Sequence, residues 1–154
     1  MFHITLFSPQ IPPNTGNIIR LCSNTGSSLY LIKPLGFSLD QKSMRRAGLD
    51  YLKNVRIKNF ENIDDFLNNT SFNRIYLVTK FGEKRYDKLK YNPGDCFIFG
   101  SELRGLSNEV LKKLSYCDKI FIPMRPKNRS INLANSVSIC LYEALRQNNF
   151  SFLK

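Results

Sequence analysis

A chain of 154 residues, 42% of them hydrophobic, has the size and composition of one folded domain rather than of a disordered or fibrous chain. Lys and Arg total 23 against 12 Asp and Glu, and the net charge of +11 favours a polyanionic partner, nucleic acid or an anionic membrane surface, unless it reflects only a Lys- and Asn-rich composition. No apolar run approaches the roughly 20 residues of a membrane span, and Met1 to Phe7 lacks the basic region and cleavage site of a signal peptide.

Short apolar runs alternate with helix-like segments along the chain. Phe2 to Phe7 reads as a strand. A helix is expected from Thr15 to Asn24, with Asn14 as candidate N-cap and Gly26 as a C-terminal stop. Ser28 to Lys33 reads as the second strand. A basic helix is expected from about Leu39 to Ala47, with Ser38 as cap and Gly48 as terminator. Val55 to Lys58 forms a short strand and Glu61 to Asn68 a short helix. Arg74 to Thr79, centred on Ile-Tyr-Leu-Val, is the clearest buried strand, and the polar Lys80 to Asn92 reads as a loop. Asp95 to Phe99 is a strand ending at Gly100, Ser107 caps a helix to about Leu114, and Lys119 to Ile122 is the last strand. The final helix, from about Asn132 to Arg146, carries Leu133, Val137, Cys140, Leu141, Ala144 and Leu145 on one apolar face. Strand–helix alternation of this kind implies a single α/β domain: a parallel sheet covered by helices on both faces.

The cysteines Cys22, Cys96, Cys117 and Cys140 include no CxxC pair, and His3 is the only histidine, so no zinc site or other metal centre is expected. Cys22, Cys96 and Cys140 sit in apolar runs as small hydrophobes, which suits a reducing cytoplasm.

Ligands of open parallel sheets bind beyond the carboxyl ends of the strands, and three loops there are unusual. In Ile11-Pro12-Pro13-Asn14-Thr15-Gly16-Asn17-Ile18-Ile19-Arg20 the first helical turn is expected to expose N–H groups suited to phosphate or ribose oxygens. Arg20 lies three residues beyond Asn17, on the same helical face. Phe99-Gly100-Ser101-Glu102-Leu103-Arg104-Gly105-Leu106 places glycines where a ligand can approach the backbone, though it has neither GxGxxG nor GxxxxGK[ST] spacing. A bulky side chain at Gly100 is therefore expected to block a ligand while leaving the fold intact. The third loop, from Ile122-Pro123-Met124-Arg125-Pro126-Lys127-Asn128-Arg129 to Ser130 and Asn132, is basic, and it enters the last helix through two good capping residues.

In combination these loops resemble the SPOUT, or trefoil-knot, methyltransferases, and specifically the small bacterial tRNA (cytidine/uridine wobble 2′-O)-methyltransferases. The resemblance rests on Pro12 to Cys22 with Asn24-Thr25-Gly26, on Arg45-Arg46-Ala47-Gly48-Leu49-Asp50-Tyr51, and on Gly100 with Glu102 and Arg104-Gly105-Leu106. It continues through Ile122-Pro123-Met124, Arg129 to Leu133, Asn135-Ser136-Val137 and Tyr142-Glu143-Ala144, and so covers nearly the whole chain in order. It implies a deep C-terminal knot, which periodicity would never suggest because knots are nearly absent from proteins. It further implies that S-adenosylmethionine is held by backbone around Val78, Gly100, Ile122 and Ser130, with Glu102, Met124, Asn132 and Leu133 alongside. Ala134 stands where the subfamily often has Ser, and no role is carried over to it.

The resemblance makes Arg20 the catalytic candidate. A guanidinium is a poor base, its pKa lying above about 12, so orientation of RNA and electrostatic lowering of the hydroxyl pKa are preferred for it. Glu102 has the chemistry of a base, but orientation of its loop is preferred. RNA is expected on Asn17, Lys42, Arg45, Arg46, Arg125, Lys127 and Arg129, with the anticodon stem-loop of tRNA as partner and a homodimer completing the site. The rival readings are 2′-O-methylation elsewhere in tRNA or rRNA, and a non-catalytic RNA-binding protein. A nucleotide-dependent oxidoreductase is disfavoured by the missing GxGxxG.

Overall fold

The computed structural model describes residues 1–38, 55–151 and 153. The expected basic helix at 39–47 lies outside the described residues, as do Lys42, Arg45, Arg46 and Gly48.

Apolar residues at successive strand positions alternate between two clusters, the mark of a sheet buried on both faces. Seven strands form it among the described residues: β1 (His3–Phe7), β2 (Ser28–Ile32), β3 (Ile57–Phe60), β4 (Ile75–Val78), β5 (Lys84–Arg85), β6 (Cys96–Phe99) and β7 (Asp118–Phe121). Their order is β3-β2-β1-β6-β4-β7-β5, and every ladder is parallel. In the central β6, Phe97 and Phe99 join Ile4, Leu6, Leu29 and Leu31 under α1 (Pro12–Thr25) and α4 (Leu133–Gln147). Cys96 and Ile98 join Leu77 and Phe60 under α2 (Ile63–Asn68) and α3 (Asn108–Lys113). A parallel sheet with flanking helices is therefore the architecture, as expected.

The local signals held where their physics is local. Gly26 ends α1 in the left-handed conformation at φ 65°, and Asn132 caps α4 through Oδ1, which accepts from Ala134 N and Asn135 N. All six residues of the expected apolar face of α4 are buried. Ser107 caps α3 by accepting from Val110 N at 3.3 Å.

Four boundaries differ. Helix α1 begins at Pro12, with Ile11 as N-cap, because two prolines occupy the positions where an N–H has no helical partner. Asn14 is thus inside the helix and caps nothing. The third strand is Ile57–Phe60, two residues later than expected, and α2 starts at Ile63 with Asn62 as its cap. The segment read as a loop at 80–92 contains β5, whose two residues pair with Ile120 and Phe121. Nothing local marks so short a strand, since all its pairing comes from β7.

Strand β7 lies between β4 and β5, so the 79–83 connection crosses β7 at the level of Ile120. Thr79 N donates to Ile120 O and Glu83 N to Lys119 O, each at 2.9 Å. A Cβ on Gly82 would stand 2.4 Å from the carbonyl carbon of Ile120, so only glycine allows this crossing. The far end of α4 is tied back to the 89–91 segment: Gln147 Nε2 donates to Leu89 O at 2.9 Å, and Gln147 Oε1 accepts from Tyr91 N at 3.0 Å.

Candidate functional site

Because β1, β6, β4 and β7 are neighbours in one parallel sheet, the loops leaving their carboxyl ends stand side by side. Val78 pairs with Phe99 on one side and Ile120 on the other, which brings the residues after Phe99 and after Ile120 next to the end of β4. Val78, Gly100, Ile122 and Met124, far apart in sequence, thus gather at one sheet edge as half-buried groups. Leu133 is buried beneath the start of α4, whereas Ser130 is exposed.

Glu102 ties these loops together. Its carboxylate accepts from Gln10 N at 2.7 Å, Ile11 N at 3.2 Å and Asn14 Nδ2 at 3.1 Å. Asn14, only 6% exposed, then accepts at Oδ1 from Asn132 Nδ2 at 2.9 Å. The direction of every bond follows from the carboxylate, which can only accept. Asn14 must turn its amide NH₂ to Glu102 and its oxygen to Asn132, and Asn132 in turn presents its oxygen to α4. One chain of bonds therefore links the loop after β6, the start of α1 and the start of α4.

This arrangement corrects the expectation of exposed N–H groups at the first turn of α1. Pro12 and Pro13 have no N–H, Asn14 N bonds to Ile11 O, and the preceding amides of Gln10 and Ile11 are taken by Glu102. The anion beside this helix N-terminus is a side chain of the protein itself, placed where the helix dipole favours negative charge.

Gly100 also differs from expectation. Its Cβ would lie 2.1 Å from the carbonyl carbon of Gly105 and 2.2 Å from Leu106 N. The loop closes on itself there: Ser101 N donates to Gly105 O at 3.1 Å, Gly105 N to Ser101 O at 2.8 Å, and Gly105 takes φ 68°. A bulky residue at 100 must therefore distort the loop itself, not merely fill a ligand space.

Asn17 and Arg20 are both exposed on α1, and Arg125, Lys127 and Arg129 are exposed in the loop after β7. Burial pushes the thiols of Cys22, Cys96 and Cys140 up to about 12 and that of Cys117 to about 11, which leaves no thiolate for nucleophilic or base chemistry. Among the described residues no group of His, Cys, Asp and Glu could hold a metal ion, and no helix is long and apolar enough to cross a membrane. An open hollow of about 650 Å³ lined by Lys33, Leu35, Phe37 and Asn59 lies instead at the ends of β2 and β3. It is separated from β4 and β7 by β1 and β6, so the polar network marks the site better than the hollow does.

The sequence model of the SpoU rRNA Methylase family matches residues 1–142. The chain belongs to that family. A tRNA (cytidine(34)-2′-O)-methyltransferase of Methylovorus glucosotrophus is 46% identical over 151 residues, 98% of each chain. A solved structure presented as giving insight into 2-OH methylation of C/U34 on tRNA superposes at a TM-score of 0.89. It shares 37% identity over 97% of both chains. The SpoU methyltransferase AviRb of Streptomyces viridochromogenes, in complex with the cofactor AdoMet, shares the fold at a TM-score of 0.82. Its identity is 23%, over 97% of this chain and 61% of its own.

The sequence had singled out Asn14, Glu102 and Asn132 separately, as cap, cofactor neighbour and cap. Their joining over 88 and 118 residues of chain was not legible. Gln10 and the 79–83 crossing were missed altogether, since neither carries a motif.

Proposed function

We propose that this protein methylates the ribose 2′-hydroxyl of the wobble nucleotide, cytidine or uridine 34, in the anticodon loop of tRNA. The observation that carries the reading is the 46% identity over 98% of both chains to a relative of that activity, combined with the junction of the three loops at one sheet edge.

S-adenosylmethionine suits the place where β4, β6 and β7 end. The half-buried Val78, Ile122 and Met124 and the buried Leu133 offer an apolar lining, and the backbone around Gly100 and Ser130 offers polar groups for the rest of the molecule. When bound, the cofactor supplies an electrophilic methyl group on a sulfonium. The protein must then align the ribose oxygen with that methyl, an effect worth several kcal/mol, and favour departure of the hydroxyl proton. In this reading Arg20 orients the ribose or its phosphate and stabilises developing negative charge on the oxygen. Glu102 touches neither reactant and holds the cofactor loop against α1.

The 79–83 crossing over β7 and the return of α4 to Leu89 and Tyr91 support a C-terminal segment threaded into a trefoil knot, within one domain. Two copies form a dimer in which Tyr142 on α4 and Phe150 just after it, partly exposed with ring centroids 6.4 Å apart, supply apolar contact. The protein works in the cytoplasm, and the exposed Arg125, Lys127 and Arg129, with Asn17 and the basic segment around Arg45 and Arg46, meet the RNA phosphates.

Calorimetry with S-adenosylmethionine or its demethylated product should give a micromolar affinity, roughly −8 kcal/mol. Incubation with tRNA and mapping of methylated ribose by mass spectrometry should place the mark at nucleotide 34. No saturation at millimolar cofactor overturns the methyltransferase reading. A mark at another nucleotide of tRNA or in ribosomal RNA keeps the chemistry and replaces the substrate.

A further inference from the structure

We infer that Phe81 is a stacking platform for an unpaired base of the RNA substrate, with the Lys80 ammonium beside it meeting the RNA backbone. The inference rests on the tRNA reading above.

Phe81 is 78% exposed, with Tyr116 and Leu103 among the most exposed large apolar side chains of the described residues. Such exposure forgoes burial that typically stabilises a fold and leaves the face of the ring open to stacking. The backbone that carries the ring is held in place. Phe81 N donates to Thr79 Oγ1 at 3.3 Å and Gly82 N to Thr79 O at 3.1 Å, closing a tight turn. Both ends of that turn are clamped to β7 through Ile120 O and Lys119 O, and Gly82 lies directly on the β7 backbone. A backbone so fixed loses little conformational freedom on binding, which favours recognition.

The neighbourhood suits RNA. Lys80 Nζ stands 4.9 Å from the ring centroid and forms no ion pair among the described residues. A phenyl ring beside an ammonium matches a nucleobase beside its phosphate, since any base offers a π-face and cations meet the backbone. The turn leaves the carboxyl end of β4 three residues after Val78, at the sheet edge that carries Gly100 and Glu102. It crosses β7, whose exit leads to the exposed Arg125, Lys127 and Arg129. An anticodon loop, with unstacked bases and a closely spaced backbone, is the kind of RNA such a surface recognises.

The test uses an anticodon stem-loop RNA with 2-aminopurine in its loop, titrated into the full chain at several salt concentrations. Phe81→Ala should weaken binding about ten-fold or more, on the scale of aromatic-to-alanine changes at stacking sites. It should also abolish the fluorescence quenching seen with the wild type, and leave the slope of log K against log salt unchanged. Phe81→Trp should restore binding. Lys80→Ala should lower that slope by about one phosphate contact. Cofactor affinity, melting temperature and sedimentation should not change in any variant. Wild-type affinity and quenching in Phe81→Ala refute the stacking role while leaving the methyltransferase reading standing. Lost cofactor affinity refutes it by assigning the ring to the adenine of the cofactor, and a changed oligomeric state refutes it by assigning the ring to a second copy of the chain. Failure of the wild-type chain to bind the stem-loop overturns the tRNA reading and the stacking role together.

Discussion

Replacing Glu102 by Gln keeps the size of the side chain and removes its charge, so it isolates what the carboxylate does at the junction of the three loops. The two carboxylate oxygens accept three bonds, from Gln10 N, Ile11 N and Asn14 Nδ2. A carboxamide keeps one acceptor and turns an NH₂ group toward N–H donors. One or two bonds are lost, each worth about 1.5–3 kcal/mol when the acceptor is charged, with the low end fitting this half-buried position. The expected cost is about 2 kcal/mol, which for a chain of this size lowers the melting temperature by roughly 4–8 °C. Thermal denaturation measures it directly, and calorimetry with the cofactor should show weaker binding in proportion to the loosened loop. Because Asn14 bridges Glu102 and Asn132, a double-mutant cycle of Glu102→Gln with Asn14→Ala should be non-additive by about 0.5 kcal/mol or more. Unchanged melting of Glu102→Gln, with additive double-mutant energies, would refute the network as the element that holds the loops. Unchanged melting with lost cofactor binding would instead make Glu102 a direct ligand.

Arg20→Ala should leave cofactor affinity and melting nearly unchanged while single-turnover methyl transfer falls at least about 100-fold, and Lys should rescue poorly because an ammonium lacks the planar fork; near-normal transfer would remove Arg20 from the site. Gly100→Ala should lower both stability and cofactor affinity, since its Cβ meets the backbone of Gly105 at 2.1 Å; a variant that melts like the wild type contradicts that packing. Asp95 is fully buried at the start of β6 and burial raises its pKa above 3.8, so the folded state holds the proton more tightly than the unfolded state. That contribution to stability is lost as pH rises through the window above 3.8. Asp95→Asn should therefore melt higher than the wild type at pH 7, by a margin that narrows toward pH 4; a margin that widens on acidification would contradict the shift.

Local patterns in the sequence determined the strands β1, β2, β4 and β6, the Gly26 stop, the Ser107 and Asn132 caps, and six of the seven buried residues of α4, all but Ala134. These features depend on neighbours within about one turn of helix or one strand, so the information that produces them lies within a few residues. The motif residues at the carboxyl ends of the strands were legible for a similar reason, as unusual residues at loop positions. Tertiary structure alone decided the rest. The two-residue β5 exists because β7 lies beside it. Asn14 bridges two loops rather than capping its own helix because Glu102 and Asn132 arrive from 88 and 118 residues away. Gly82 and Gly100 are required by the close backbone approach of Ile120 and Gly105 respectively, contacts set by strand order and loop closure. A hydrogen bond acts over about 3 Å whatever the separation along the chain, so the strand order, which sets those distances, is what assembles the site.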